Sequence, residues 1–204
     1  QELARAFSGM LSGQLAPQDW YETEFRMLLK RQPQWMAENW RPIAVLPITY
    51  KVLATTLLIM LEKKFDERTD GEQIGGQKGF SVLDGLVLVQ KLLEHAEDYG
   101  KEGIIAFVDF EAAFNSPSFG AIWKVLAEEG FPEDVICLLE RLYSDQRGRT
   151  RGQMEGKWFS ISRGTKEGDP LSARIFALLI SHMMRRLRDT WRSKGYGYNL
   201  VGEV

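Results

Sequence analysis

The sequence predicts an α+β fold, on three observations. Two short apolar runs near the N-terminus, Phe25–Lys30 and Ile43–Leu46, are separated by a polar turn holding Pro33, Glu38 and Asn39 and read as strands. A third run, Ile104-Ile105-Ala106-Phe107-Val108, is apolar at every position and fits a strand buried on both faces. Several segments with helical spacing stand between and after them. The order is strand, strand, helix, helix, strand, helix, helix, hairpin, helix, which is not a regular βαβ wind.

Each element has a local cause. Residues 1–12 read as the end of a helix. A long helix is expected from Thr49 to Glu67, with Val52, Leu53, Leu57, Met60 and Leu61 on one face. Asp70 to Gly76 is turn-rich punctuation. Ser81 is the N-cap of the next helix, which would turn Val82, Leu86, Val89, Leu93 and Ala96 inward and end at Gly100 and Gly103. The apolar run that follows stops at Asp109. Ser116-Pro117 opens a helix that Gly130 closes, and Pro132 opens another carrying Val135, Ile136, Leu138, Leu139 and Leu142. A hairpin is expected from Thr150–Met154 and Lys157–Ile161 around Glu155-Gly156. Asp169-Pro170 then opens a helix reaching about Arg188.

Composition narrows the function classes. The 204 residues are 44% hydrophobic and 26% charged, the profile of a globular chain with its own core. One cysteine, Cys137, excludes a disulfide framework and a Cys-rich zinc site, and two separated histidines, His95 and His182, argue against a histidine metal cluster. No apolar run approaches the roughly 20 residues that span a bilayer, so no membrane partner is expected. The first residue is Gln and no signal-peptide pattern follows, so the chain is expected to be part of a longer reading frame that works inside the cell. The net charge is −2, but it is unevenly spread. Residues 1–140 carry 13 basic and 22 acidic side chains, whereas residues 141–195 carry 13 basic and 5 acidic. A basic last third suits a phosphate-backbone partner, and equally a solvated face.

Three clusters carry potential chemistry, each with a plain structural alternative. Asp109 ends a buried strand, where a carboxylate needs a divalent metal or a helix N-terminus to satisfy it. Arg163-Gly164-Thr165-Lys166-Glu167-Gly168-Asp169-Pro170-Leu171-Ser172 is a glycine-bracketed turn before a helix, suited to close approach of an anion or nucleotide, or simply a capped helix start. Lys30-Arg31 and Arg41 sit on two strands expected to pair as a hairpin, where they can grip a triphosphate or be solvated.

Taken together, the clusters resemble the reverse transcriptase domain of non-LTR (LINE-type) retrotransposons. The carrying residues are Asn39 to Leu53 (Asn-Trp-Arg-Pro-Ile-Ala-Val-Leu-Pro-Ile-Thr-Tyr-Lys-Val-Leu), Gln77-Lys78-Gly79-Phe80, Phe107 to Ser116 as the motif A region, and Arg163 to Ser172 as motif B, with Gly152 to Ile161 as the strand pair before it. The likeness covers about residues 20–190. It implies the fingers and partial palm of a right-hand polymerase, truncated before the aromatic-Ala-Asp-Asp hairpin. Residues 1–100 would form a fingers-like region and 101–204 a partial palm, within one continuous domain fragment.

The implied reaction is templated addition of deoxynucleotides to a 3′-hydroxyl, with two Mg²⁺ ions (or Mn²⁺). By resemblance, Asp109 would be catalytic and bridge both ions, with the carbonyl of Phe110 as a further ligand. Lys30 and Arg41 would contact the triphosphate, and Phe114 would crowd the sugar 2′ position. Glu167 and Gly168 would underlie the nascent base pair, and Arg141, Arg147, Arg149 and Arg151 would track template or primer phosphates. The implied partners are an RNA template, a DNA primer and deoxynucleoside triphosphates, in the nucleus or a cytoplasmic ribonucleoprotein. The chain departs from the family pattern at Glu167, where Gln is usual, at Ala112, where Lys is common, and at Asn115, where Asp is common. No basic stretch follows Phe80, and the 204 residues hold no aromatic-Ala-Asp-Asp run. One carboxylate does not hold two metals, so the fragment alone is expected not to polymerise. The alternative reading is a decayed or repurposed copy that binds RNA without catalysis. A group II intron-type maturase ranks below both.

Overall fold

The computed structural model describes residues 1–71, 73–75, 79–152, 156–166 and 168–198. Among these the helices are α1 (Glu2–Leu11), α2 (Ile48–Arg68), α3 (Val82–Asp98), α4 (Phe119–Glu128), α5 (Glu133–Ser144) and α6 (Ser172–Ser193). The strands are β1 (Glu22–Leu29), β2 (Trp40–Val45), β3 (Arg147–Thr150) and β4 (Phe159–Ser160). They form one sheet in the order β2-β1-β3-β4. The mixed α+β class stands as expected, and so does the antiparallel β1–β2 hairpin, in which Leu28 pairs with Arg41.

The core is built around α2. Its buried stripe is Tyr50, Leu53, Ala54, Leu57, Leu61 and Phe65, at the i, i+3, i+4 spacing of one helical face. Leu53, Leu57 and Leu61 fall where the sequence places them, but Val52 and Met60 point to solvent. Trp20, 1% exposed, stands edge-on to Tyr50 with ring centroids 5.6 Å apart, and its indole N–H donates to Thr49 Oγ1 at 3.1 Å. Leu138, Leu139 and Leu142 of α5, Leu171 just before α6, and Ile175 and Leu178 of α6 join the same core. The far end of α6 is fastened by charge. Arg185 donates to Asp70 at 2.9 Å and also pairs with Glu129, while His182 Nδ1 lies 2.7 Å from Glu129.

The largest correction concerns residues 104–108. They form no strand: Ile104 is 99% exposed and Phe107 88%. A strand exists only when its N–H and C=O groups find a partner, and no strand among the described residues pairs with this run. Helix α3 is likewise present but unburied. Asp84 accepts from the Ser81 N–H at 2.6 Å, so the start was legible, yet Val82, Leu86 and Leu93 are exposed, no element among the described residues covering them.

Smaller shifts have local causes. Helix α4 begins after Ser118, whose Oγ accepts the Ala121 N–H at 3.2 Å. Ser118 is bridged to Arg163, and Ser116 instead caps the 3-10 turn 113–115 through the carbonyls of Glu111 and Ala112. Strand β3 begins at Arg147 rather than Thr150, because it pairs in parallel with β1 through Glu22–Arg147 and Glu24–Arg149. That pairing joins segments remote in sequence. Gly156 N–H closes on the Thr150 carbonyl at 3.0 Å, while 153–155 of the expected hairpin turn lie outside the described residues.

Candidate nucleotide-binding site

The turn before α6 is the hub of the molecule. Thr165 N–H donates to the Phe114 carbonyl at 2.6 Å, and Gly164 N–H donates to that of Pro117 at 2.7 Å. This ties the turn to the chain just after Asp109. On its other side, Gly168 lies against β2. Its φ is +103°, and a Cβ there would stand 2.9 Å from the Ala44 carbonyl oxygen. Only glycine meets both conditions without strain. The turn is thus clamped between the 3-10 turn at Phe114 and strand β2.

A cleft of about 330 Å³ opens at this clamp, lined by Arg41, Phe114, Lys166, Gly168, Asp169, Ser172 and Ala173. Arg41 comes from β2, Phe114 from the 3-10 turn, and Ser172 and Ala173 from the first turn of α6. Phe114 is held against Phe176 of α6, ring centroids 4.9 Å apart. Three residues singled out in the sequence, Arg41, Phe114 and Gly168, therefore meet in one cleft. A 22-residue helix begins there, its free N–H groups and positive dipole end suited to an anion. Lys30 is exposed beyond the end of β1 and is not part of the cleft. By register it shares the face of Leu28 and Arg41. Glu167 lies outside the described residues.

Behind the cleft is a polar cluster that sequence reasoning missed. Asp169, 5% exposed, accepts the Tyr50 hydroxyl at 2.5 Å, the Tyr143 hydroxyl at 3.4 Å and the Leu171 N–H at 2.9 Å. Burial pushes both phenols well above their ordinary range, so they stay protonated and donate. Burial also raises the Asp169 carboxyl, against the opposing effect of these hydrogen bonds. Lys166 is 5% exposed, with its ammonium 4.8 Å from the Tyr50 ring centroid and 5.5 Å from that of Tyr143. Tyr50, Lys166 and Asp169 lie inside the motif runs already quoted. Tyr143 had no marker beyond helical spacing.

The expected metal centre is a different matter. Asp109 and Glu111 are exposed on an irregular stretch. Among the described residues no group of three or more His, Cys, Asp or Glu side chains could hold an ion. Phe110 faces a separate apolar groove of about 660 Å³, lined with Phe176 and Met183 among others. The described residues do not fit a two-ion centre.

The basic strand β3 is partly neutralised across the sheet. Arg147 pairs with Glu22 at 2.5 Å, and Arg149 and Arg151 both pair with Glu24 at 2.5 Å. The two arginines hold the Glu24 carboxyl below its ordinary value. The Arg147 and Arg149 guanidinium groups also lie 5.1 and 4.7 Å from the Trp158 ring centroid. Exposed ion pairs contribute only about 0–1 kcal/mol each, so a polyanion can displace the carboxylates from Arg147 and Arg151, which are 49% and 56% exposed. Arg149, at 23%, is held more firmly. Replacing all three by Gln is expected to weaken RNA binding and to flatten the log–log salt slope by up to about 2. A slope unchanged in a filter-binding titration would remove these residues from the interface.

The α+β chain thus carries a basic strand in its sheet and, at the start of a long helix, a cleft lined by cations. More specifically, the chain belongs to the family described as "Reverse transcriptase (RNA-dependent DNA polymerase)", whose sequence profile matches residues 28–200. It is 26% identical over 151 residues to the "Retrovirus-related Pol polyprotein from type-2 retrotransposable element R2DM" of Drosophila melanogaster, covering 74% of this chain and 14% of that protein. It is 23% identical over 167 residues to the "Transposon TX1 uncharacterized 149 kDa protein" of Xenopus laevis, covering 79% of this chain and 12% of that one. It is 26% identical over 159 residues to the "Retrovirus-related Pol polyprotein from type-1 retrotransposable element R2" of Popillia japonica, covering 74% and 21%. The chain therefore spans a small part of the relatives it matches, and its non-LTR reverse transcriptase character stands as the sequence implied.

Proposed function

We propose that this chain is the nucleotide- and template-gripping part of an RNA-directed DNA polymerase that copies retroelement RNA, and that these 204 residues alone do not polymerise. The observation that carries the reading is the meeting of Arg41, Phe114 and Gly168 in one cleft at the start of α6. Arg41 supplies a permanent cation for phosphate, and the Phe114 ring forms a wall against the sugar. The free N–H groups of α6 face the same opening. The RNA template and DNA primer are assigned to the β3 arginines, and deoxynucleoside triphosphates to the cleft. Enzymes of the family work with divalent metals; in a chain that also supplied further carboxylates, Asp109 and the Phe110 carbonyl would be the ligands these residues offer to Mg²⁺ or Mn²⁺. A nuclear or cytoplasmic ribonucleoprotein setting follows from the same reading.

In a primer-extension assay with RNA template, DNA primer and all four deoxynucleotides, the fragment is expected to add none. Incorporation that disappears on Asp109→Ala would overturn the inactivity of the fragment and establish Asp109 as catalytic. The second reading, an RNA-binding relic, is favoured by the exposed Asp109, which has no metal-holding carboxylate cluster among the described residues. It requires that a longer polyprotein containing this stretch, supplied with Mg²⁺, also fails to extend a primer.

A further inference from the structure

Lys166 sits where a cation should have an acceptor, and among the described residues it has none. Its Nζ is sealed from water and makes no hydrogen bond to any of them. Buried polar groups are nearly always satisfied, so an orphan needs a reason. Asp169 does not provide one. Its two oxygens already receive two phenolic hydroxyls and the Leu171 N–H, and the Lys166 ammonium is held only over the faces of Tyr50 and Tyr143. The residue lines the cleft with Arg41 and Phe114, beside the first turn of α6. An ammonium on a flexible four-carbon stem can turn from two aromatic faces toward a stronger acceptor entering the cleft.

We propose that Lys166 is a phosphate-binding residue of this cleft, giving its ammonium to an oxygen of the incoming nucleoside triphosphate as a second cation beside Arg41. The proposal rests on the reading that the cleft takes a nucleotide. A charge-assisted bond to a phosphate oxygen is stronger than contact with a ring face, so ligand entry completes the orphaned group. Among the described residues, the charged and titratable groups facing Lys166 are Tyr50 from α2, Tyr143 from α5, Asp169 from its own turn and Arg41 across the cleft. Burial lowers the Lys166 ammonium to about 8, against the opposing pull of Asp169. As pH rises through that value the lysine loses its proton in the free protein, and phosphate binding weakens. An anion bound beside it favours the charged form, so binding near pH 8 takes up a fraction of a proton.

The test is calorimetric titration of the 204-residue chain with dATP, inorganic tripolyphosphate and deoxyadenosine between pH 7 and 9. The wild type is expected to bind the two phosphates more weakly as pH rises, and near pH 8 to take up about half a proton, read from buffers of different ionisation enthalpy. Lys166→Met should lose about tenfold or more in affinity for both phosphates, with a flat pH profile and unchanged deoxyadenosine binding. Lys166→Arg should restore phosphate affinity without the pH dependence. The proton uptake needs no variant, so the outcome stands even if the methionine substitution unfolds the chain. Phosphate binding without proton uptake and indifferent to Lys166 overturns the proposal alone. Failure of the wild type to bind dATP at all overturns the cleft reading, and the proposal with it.

Discussion

Replacing Asp169 by alanine is expected to cost about 3–5 kcal/mol of stability, because each buried donor left without its acceptor costs about 1–3 kcal/mol. Three donors would lose their acceptor at once: the hydroxyls of Tyr50 and Tyr143 and the N–H of Leu171. The Lys166 ammonium would also be left without its buried counter-charge. Asp169→Asn separates these causes, because it keeps the size and one acceptor oxygen while removing the charge. It should cost about 1–3 kcal/mol. The double variant Asp169→Asn, Lys166→Met should then recover part of that loss, since no uncompensated ammonium remains. Urea denaturation measures all three. Strict additivity of the two substitutions would show that the lysine and the aspartate do not sense each other.

Gly168→Ala is the second large effect, at about 3 kcal/mol. Two terms add: strain at a φ of +103° and a methyl carbon 2.9 Å from the backbone oxygen of Ala44. Neither neighbour is a flexible side chain, so the turn must move away from β2. That movement shifts one wall of the Arg41–Phe114 cleft, and dATP affinity should fall with stability. Gly120→Ala is the control. Gly120 lies in α4 with open space where its Cβ would be, and the change should be neutral or stabilising by up to about 1 kcal/mol. Equal thermal midpoints for the Gly168 variant and the wild type would show that the turn is not clamped.

Several parts of the site were legible without coordinates. Arg41-Pro42 and the Gly168-Asp169-Pro170 turn stood out because their chemistry is local, a fixed cation and a glycine before a helix start, while Phe114 came from the family resemblance. The Ser81 cap and the Pro132 start of α5 were readable for the same reason. What escaped depends on partners far along the chain. Tyr50 and Tyr143 reach Asp169 across 119 and 26 residues, and nothing in their own neighbourhoods announces it. The buried stripe of α2 was misplaced at Val52 and Met60 because several apolar faces were available, and packing chose the one holding Tyr50 and Phe65.

The sequence by itself determined the α+β class, most element positions and the reverse transcriptase character, and it singled out Arg41, Phe114 and Gly168 among the cleft residues. The tertiary structure decided which apolar runs are buried, which strand the arginines pair with, and which polar groups surround Asp169. Propensity, capping and turn chemistry act over a few residues and can be read in order along the chain. Burial and strand pairing require a second surface: residues 104–108 have the composition of an interior strand and no partner among the described residues, so they stand in water.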